Sequence, residues 1–247
     1  MRFDVITLFP ELFAPFLSCG ITRRAFESGQ VQVCLHNPRD HADGNYRRVD
    51  DRPFGGGPGM VMLAQPLAQC LALIQAQRGQ AAPVLMFSPQ GRPLQHATVS
   101  HWAGSTGAVL LCGRYEGIDQ RFIDTYVTGQ ISLGDFVLSG GEIAAMALLD
   151  AVARLQPGVL GDADSHMQDS FNPELDGLLD CPHFTRPENW QGQAVPEVLL
   201  SGHHERIERW RRDQRLQVTA QLRPDLIQLA RDAGRLGLAD EAVLARL

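Results

Sequence analysis

The sequence contains no lysine; all 22 of its basic residues are arginine. A Walker A loop, a pyridoxal-phosphate Schiff base and a lysine nucleophile each need an ε-amino group, so one absence removes all three. Long apolar runs are missing too. No stretch approaches the roughly 20 residues that a membrane-spanning helix requires, and the opening MRFDVITLFPELF carries Asp4 and Glu11 where a signal peptide would be apolar. The expectation is a cytoplasmic protein without a membrane partner. Cysteines are scattered: Cys19, Cys34, Cys70, Cys112 and Cys181 are odd in number and never spaced C-x-x-C. That argues against a disulfide framework and a zinc knuckle and leaves reduced packing residues. Excess positive charge is also absent, the net being -6, so a nucleic-acid partner would have to meet a local basic surface.

What is present is a regular alternation. Short runs rich in apolar and β-branched residues fall at 2–8, 31–36, 83–87, 107–112 and 131–138, and helix-period segments at 64–78, 94–103, 118–126 and 142–155. This pattern predicts βαβ units and a mainly parallel sheet covered by helices, an α/β domain over residues 1–160. From Gln156 to Pro196 the period is lost. Prolines punctuate the stretch, acidic and glycine residues crowd 161–180, and residues 161–177 read as a flexible interdomain linker. Helical period returns at 202–222, 225–235 and 239–247, with Ser201 as an N-cap and Pro224 near the start of the second helix. Residues 178–247 are thus expected to form a small all-α C-terminal domain. A further irregular stretch, from Asn37 to Met60, gathers arginines and histidines ahead of the glycine cluster GGGPG.

Three segments share a form, a strand leading through a Gly- or Pro-containing turn into a helix: MFSPQGR (86–92), LCGRYEGID (111–119) and ISLGDFVLSGGE (131–142). In an open parallel sheet the carboxyl ends of the strands border the ligand crevice, so three such loops would line one pocket. No G-x-G-x-x-G follows a strand, and GGGPG lacks the spacing of a P-loop, so a dinucleotide or triphosphate loses its best support. Glycines without that pattern suit a small ligand gripped by backbone amides and carbonyls. Taken singly, each loop reads equally well as an ordinary tight turn.

The stretches VDDRPFGGGPGM (49–60), SPQGR (88–92), LCGRYEGID (111–119), SLGDFVLSGGE (132–142), PGVLG (157–161), DSF (169–171), LLDCPHFTRP (178–187) and VPEVLLSGHH (195–204) closely resemble the bacterial tRNA (guanine-N1)-methyltransferases of the SPOUT superfamily. They do so in order, over about 200 of the 247 residues. The resemblance implies a deep trefoil knot in the α/β domain, a homodimer, and methyl transfer from S-adenosylmethionine to N1 of the guanine immediately 3′ of the tRNA anticodon. Carried over by position, the cofactor would be held by Met86, Phe87, Ser88 and Pro89, by Gly113, Tyr115 and Glu116, and by Leu133, Gly134, Asp135, Phe136, Val137, Leu138, Gly140 and Gly141. Ala144 stands where the family usually has proline, and Phe87 and Phe136 where tyrosines are common, so the pocket lacks two hydroxyls.

The chemistry that the resemblance implies has a concrete difficulty. Guanine N1 carries a proton at neutral pH, so its lone pair is not free, and a base is required. Asp169 matches the family's base. A carboxylate is a weak acceptor for so reluctant a proton, and Arg154 matches the helper whose guanidinium at guanine O6 would stabilise the developing negative charge. By sequence alone, Asp169 reads as a solvated loop residue or a cap, Arg154 as a helix C-terminal charge, and Glu116 as a carboxylate near a helix N-terminus.

For the RNA, Pro58 and Gly59 would lie near the base by resemblance, and Ser170 beside the catalytic aspartate. In SGHHERIERWRRDQR, Glu205 with Arg209 and Glu208 with Arg212 are spaced i,i+4 as salt-bridged pairs, which leaves Arg211 and Arg215 as candidate phosphate contacts together with Arg47, Arg48 and Arg52. Trp190 or Trp210 would pack or stack. The pairs His203-His204 and Cys181-x-His183 lack two further ligands at zinc spacing, so no metal site is assigned, although the family is associated with magnesium dependence. Two rival readings stay open: a SPOUT methyltransferase acting on another RNA position, and a silent RNA-binding protein that retains the cofactor fold.

Overall fold

The computed structural model describes residues 1–161 and 165–247. The chain divides into two compact units, Met1–Gly161 and Asp162–Leu247.

The first unit is built on parallel strands β1 (Arg2–Ile6), β2 (Gln32–His36), β5 (Val84–Pro93), β6 (Val109–Leu111) and β7 (Gly129–Ser132), in the spatial order β2-β1-β6-β5-β7. Two residue-pair strands, β3 (Asp50–Asp51) and β4 (Val61–Met62), form a small antiparallel ladder beside it. Side chains alternate across the sheet, so Leu85, Phe87 and Leu110 enter one apolar layer while Val84, Met86, Val109 and Leu111 enter the other. Both faces are covered, which is why these strands read as continuous apolar runs. The first layer packs on α4 (His96–Ala103) and α6 (Glu142–Arg154), and on α1 (Phe13–Ser18) and α2 (Arg23–Glu27). Helices α3 (Ala64–Arg78) and α5 (Gln120–Tyr126) cover the second. Helix α6 buries Ala145, Leu148, Leu149, Val152 and Ala153, the spacing of one inward stripe.

On β1, one strand in from the β2 edge, Asp4 is fully buried, with Arg2 at 2.7 Å, His36 at 2.8 Å and Arg78 at 2.6 Å. Burial alone would push its carboxyl up; hydrogen bonds from His36, Arg2 and Arg78 outweigh that and hold it at about 2.

Two expectations for this unit are corrected. The strand placed at 131–138 ends at Ser132, because the Ser132 hydroxyl donates to the Gly134 carbonyl and accepts from the Gly134 amide, folding the chain out of the ladder. The strand placed at 83–87 runs on to Pro93, with a register break between Phe87 and Arg92. The segment SPQGR is therefore a kinked continuation of β5 and not a strand-to-helix turn. Gly91 permits it: an added Cβ there would strike the backbone of Gln130 and Ile131. Helices α1 and α2 are additional. Pro10 and Pro15 break the period by which so short a pair could be read.

The second unit contains 3-10 turns at Ser165–Gln168 and Pro173–Leu175, a hairpin of β8 (Asn189–Trp190) and β9 (Gln193–Ala194), and helices α7 (Glu197–Leu200), α8 (His204–Leu222), α9 (Pro224–Asp232) and α10 (Leu238–Leu244). Its core is Leu178, Leu216, Ile227 and Ala230. The hairpin corrects the expectation of an all-α domain. The linker is corrected as well: residues 165–177 fold as part of this unit, with Leu175 buried, Asn172 capping the second turn through Glu174 N at 2.9 Å, and Asp176 2.7 Å from Arg212. Short Asx-capped turns have no period of their own, so no periodic signal announces them. Asp162 to Asp164 of that segment lie outside the described residues. Ser201 is not the cap of α8: His203 occupies that place, and the Ser201 hydroxyl donates to Val198 O.

Candidate active site

Beside the kink of β5 and at the carboxyl ends of β6 and β7 a pocket of about 390 Å³ opens in the first unit, a size suited to a small-molecule ligand. It is lined by Met86 to Gln90, by Gly113 to Ile118 and by Gln130 to Gly134, and continues over Phe136 to Gly141 and Ala144. Of the residues assigned to the cofactor from the sequence, Asp135 alone is not in this lining; it is exposed. Three glutamines that were not singled out, Gln90, Gln120 and Gln130, contribute to the wall, as does Arg114.

The walls are joined by backbone contacts. Gly141 donates its amide to Gly113 O at 3.0 Å, and a Cβ on Gly141 would stand 2.8 Å from the Cys112 Cα. Only a residue without a side chain lets the third loop lie this close to the second. Tyr115 is held at φ 61, in the left-handed region, and its hydroxyl accepts from Arg39 at 3.3 Å. Glu116 donates its amide to Met60 O at 3.0 Å, and Met62 donates its own to Gly117 O at 2.9 Å, so the chain following the GGGPG cluster is stitched to the second loop. Gly59 sits directly against the Glu116 side chain.

Buried thiols offer no nucleophile here. Burial pushes Cys112 well above its ordinary value and Cys70 up to about 12, so neither is a thiolate near neutral pH.

A family model for tRNA (guanine-1)-methyltransferase, TrmD, matches residues 1–229. The chain belongs to this family. Its sequence is 77% identical over 245 residues to the tRNA (guanine-N(1)-)-methyltransferase of Albidiferax ferrireducens, covering 99% of each chain. It is 72% identical to the protein of the same name from Paracidovorax citrulli, and 57% identical to that from Bordetella pertussis, in each case over 100% of this chain and 98% of the relative.

The remaining residues singled out by the likeness to tRNA (guanine-1)-methyltransferases are distributed as follows. Arg154 is the last residue of α6 and half-buried. Asp169 follows the first 3-10 turn of the second unit, its amide donating to His166 O and its carbonyl accepting from Asn172 N. The Ser170 hydroxyl accepts from Asp180 N at 2.9 Å. Pro58 and Arg52 are exposed, and Arg48 pairs with Asp51 at 3.3 Å. Arg211 lies 2.6 Å from Glu208. Arg215 is buried, 6% exposed, and faces Asp180. The i,i+4 pairs expected on this helix are replaced: Arg209 engages Asp213 and Asp240, and Arg212 bridges Asp176 and Asp240. Arg209 and Asp213 are themselves spaced i,i+4, whereas Asp176 and Asp240 come from distant segments that helical spacing could not supply. Trp190 is exposed on the hairpin, and Trp210 lies 6.1 Å from the Phe184 ring. No helix among the described residues is long and apolar enough to cross a membrane.

Proposed function

We propose that this member of the tRNA (guanine-1)-methyltransferase family transfers a methyl group from S-adenosylmethionine to N1 of the guanine immediately 3′ of the tRNA anticodon, as a cytoplasmic homodimer with the knotted SPOUT topology. The observation that carries the reading is the pocket, which gathers the carried-over residues of the kinked strand β5 and of two separate loops around one space. Its lining suits S-adenosylmethionine: Gly113, Gly134, Gly140 and Gly141 leave main-chain groups open to the edges of an adenine, and Leu133 and Leu138 offer apolar faces for it.

When bound, the cofactor supplies an electrophilic methyl group; the chain must supply orientation and proton transfer. Asp169 accepts the N1 proton, and Arg154 donates hydrogen bonds to O6, where negative charge accumulates as N1 is deprotonated. The dimer brings these two groups to the cofactor pocket. Pro58 and Gly59 would flank the target base. Arg47, Arg48, Arg52 and Arg211 are the proposed phosphate contacts; Arg215 is withdrawn from that set because it is buried against Asp180. Among the described residues no three His, Cys, Asp or Glu side chains gather as metal ligands, so no residue is assigned to magnesium.

The test is transfer from labelled S-adenosylmethionine to an unmodified tRNA with guanine 3′ of its anticodon. The wild type is expected to label N1 of that base, and Asp169→Ala to bind cofactor normally while losing about 10²-fold or more in turnover. Labelling of a different RNA position, or cofactor binding without any transfer, would overturn the proposal.

A further inference from the structure

Around the base of the pocket, residues far apart in sequence close a polar circuit. Thr7, fully buried just past the end of β1, donates its hydroxyl to Glu142 Oε1 at 2.8 Å. The same hydroxyl accepts from the Phe9 amide at 3.0 Å, and the Phe9 ring faces the Arg114 guanidinium at 4.5 Å. Arg114 Nε closes the circuit on Glu142, 3.2 Å from Oε1 and 3.0 Å from Oε2. The Oε1 contact has hydrogen-bond geometry, whereas Oε2 is held by charge and accepts no hydrogen bond among the described residues. Arg114 then reaches the third loop, donating to Ser139 O at 3.2 Å.

Glu142 is 1% exposed. Burying a carboxylate costs several kcal/mol even when it is paired, and an apolar residue would pack the same space more cheaply. Its place in the first turn of α6 recovers part of that cost through the helix dipole, and the apolar stripe of α6 already anchors the helix. What an apolar residue could not do is fix the orientation of Arg114. Arg114 lines the pocket; Thr7 and Glu142 do not.

We propose that Glu142 is a positioning residue for cofactor binding. Acting through Arg114, it holds the second loop, 113–117, and the third, 133–141, in the one arrangement that admits the cofactor, with Thr7 fixing the carboxylate from below. The inference rests on the reading of this pocket as the S-adenosylmethionine site. Without the charge, the two loops sample open arrangements, and the apparent affinity falls with the fraction of molecules competent to bind. Once the cofactor is seated, proton removal from the base does not involve Glu142, so turnover at saturation is retained.

The test compares Glu142→Gln, which keeps the shape and removes the charge, with Thr7→Val and Thr7→Ser, by calorimetric binding of S-adenosylmethionine and by steady-state kinetics. Glu142→Gln is expected to raise both Kd and KM for S-adenosylmethionine about tenfold, leaving kcat and the KM for tRNA within about twofold of wild type. Thr7→Val should shift the cofactor constants the same way and Thr7→Ser should not. The Glu142→Gln, Thr7→Val double variant should be no worse than Glu142→Gln alone, because the two residues act as one unit. Wild-type cofactor affinity in Glu142→Gln, or parallel losses in kcat and both KM values that track melting temperature, overturns the inference alone. A wild type that does not bind S-adenosylmethionine overturns the functional reading and this inference with it.

Discussion

At Gly141 the absence of a side chain has a direct geometric meaning. The residue packs against the Cys112 backbone and donates its amide to Gly113, so a methyl group there has to push the third loop off the second. Gly141→Ala is expected to weaken S-adenosylmethionine binding about tenfold or more while leaving far-UV circular dichroism unchanged, since the clash lies in the loop and not in the sheet; calorimetry decides it. Unaltered affinity would mean that the loops do not meet in solution as they do here. Arg215 teaches a different lesson about single residues. Its helical neighbours gave no reason to bury it, and its acidic partner, Asp180, is 35 positions away, so its burial was invisible to any reading of the helix alone.

Among the elements, the segment 165–177 departs furthest from its sequence reading. Its polar, aperiodic composition predicts mobility, yet Gly177 and Leu178 donate their amides to Asn172 O and Leu175 O, each at 3.0 Å, and Arg212 of α8 clamps Asp176 while engaging Asp240 of α10. Amide exchange at Gly177 and Leu178 should accordingly be slowed, and Asp240→Asn should speed it by loosening Arg212, with little effect on amides of the first unit. Rapid exchange in the wild type would restore the mobile linker. In the sheet, by contrast, the main strands of the first unit and helices α3 to α6 lie close to where apolar period placed them. Where boundaries moved, at β5 and β7, a side chain hydrogen bond or a glycine contact ended or prolonged the ladder.

For the whole molecule, acid is the informative perturbation. Asp4 is held at about 2 against an ordinary aspartate value of 3.8. Burial alone would raise Asp180 and Asp240, but their hydrogen bonds and cationic partners outweigh it and leave both below the ordinary value. As pH falls through that window the unfolded chain takes up protons that the folded one refuses, so stability is full above about pH 4 and declines toward pH 2. Asp4 alone accounts for about 2 kcal/mol of the loss. Urea titrations at stepped pH check this, and a pH-independent midpoint between 4 and 2 contradicts it. The proposed dimer makes a separate prediction. At an S-adenosylmethionine concentration that fills the wild-type pocket and leaves that of Gly141→Ala nearly empty, a purified heterodimer of one Asp169→Ala subunit and one Gly141→Ala subunit should retain about half of wild-type activity if Asp169 serves the partner's pocket, because a two-fold arrangement leaves one site intact. Near-zero activity would mean that each subunit supplies its own base.

The sequence by itself determined the sheet and its covering helices, because apolar period and β-branched runs report burial on both faces directly, and it placed two of the three pocket segments as loops at the carboxyl ends of parallel strands, the third proving to be a kinked continuation of β5. Its ordered motifs, from VDDRPFGGGPGM to VPEVLLSGHH, were enough to reach the family. Only the tertiary structure decided which polar groups are buried and with whom: Asp4 among Arg2, His36 and Arg78, Arg212 between Asp176 and Asp240, and Glu142 with Thr7 and Arg114. Such pairs are matched through space by charge and desolvation, and nothing local to either partner announces the other.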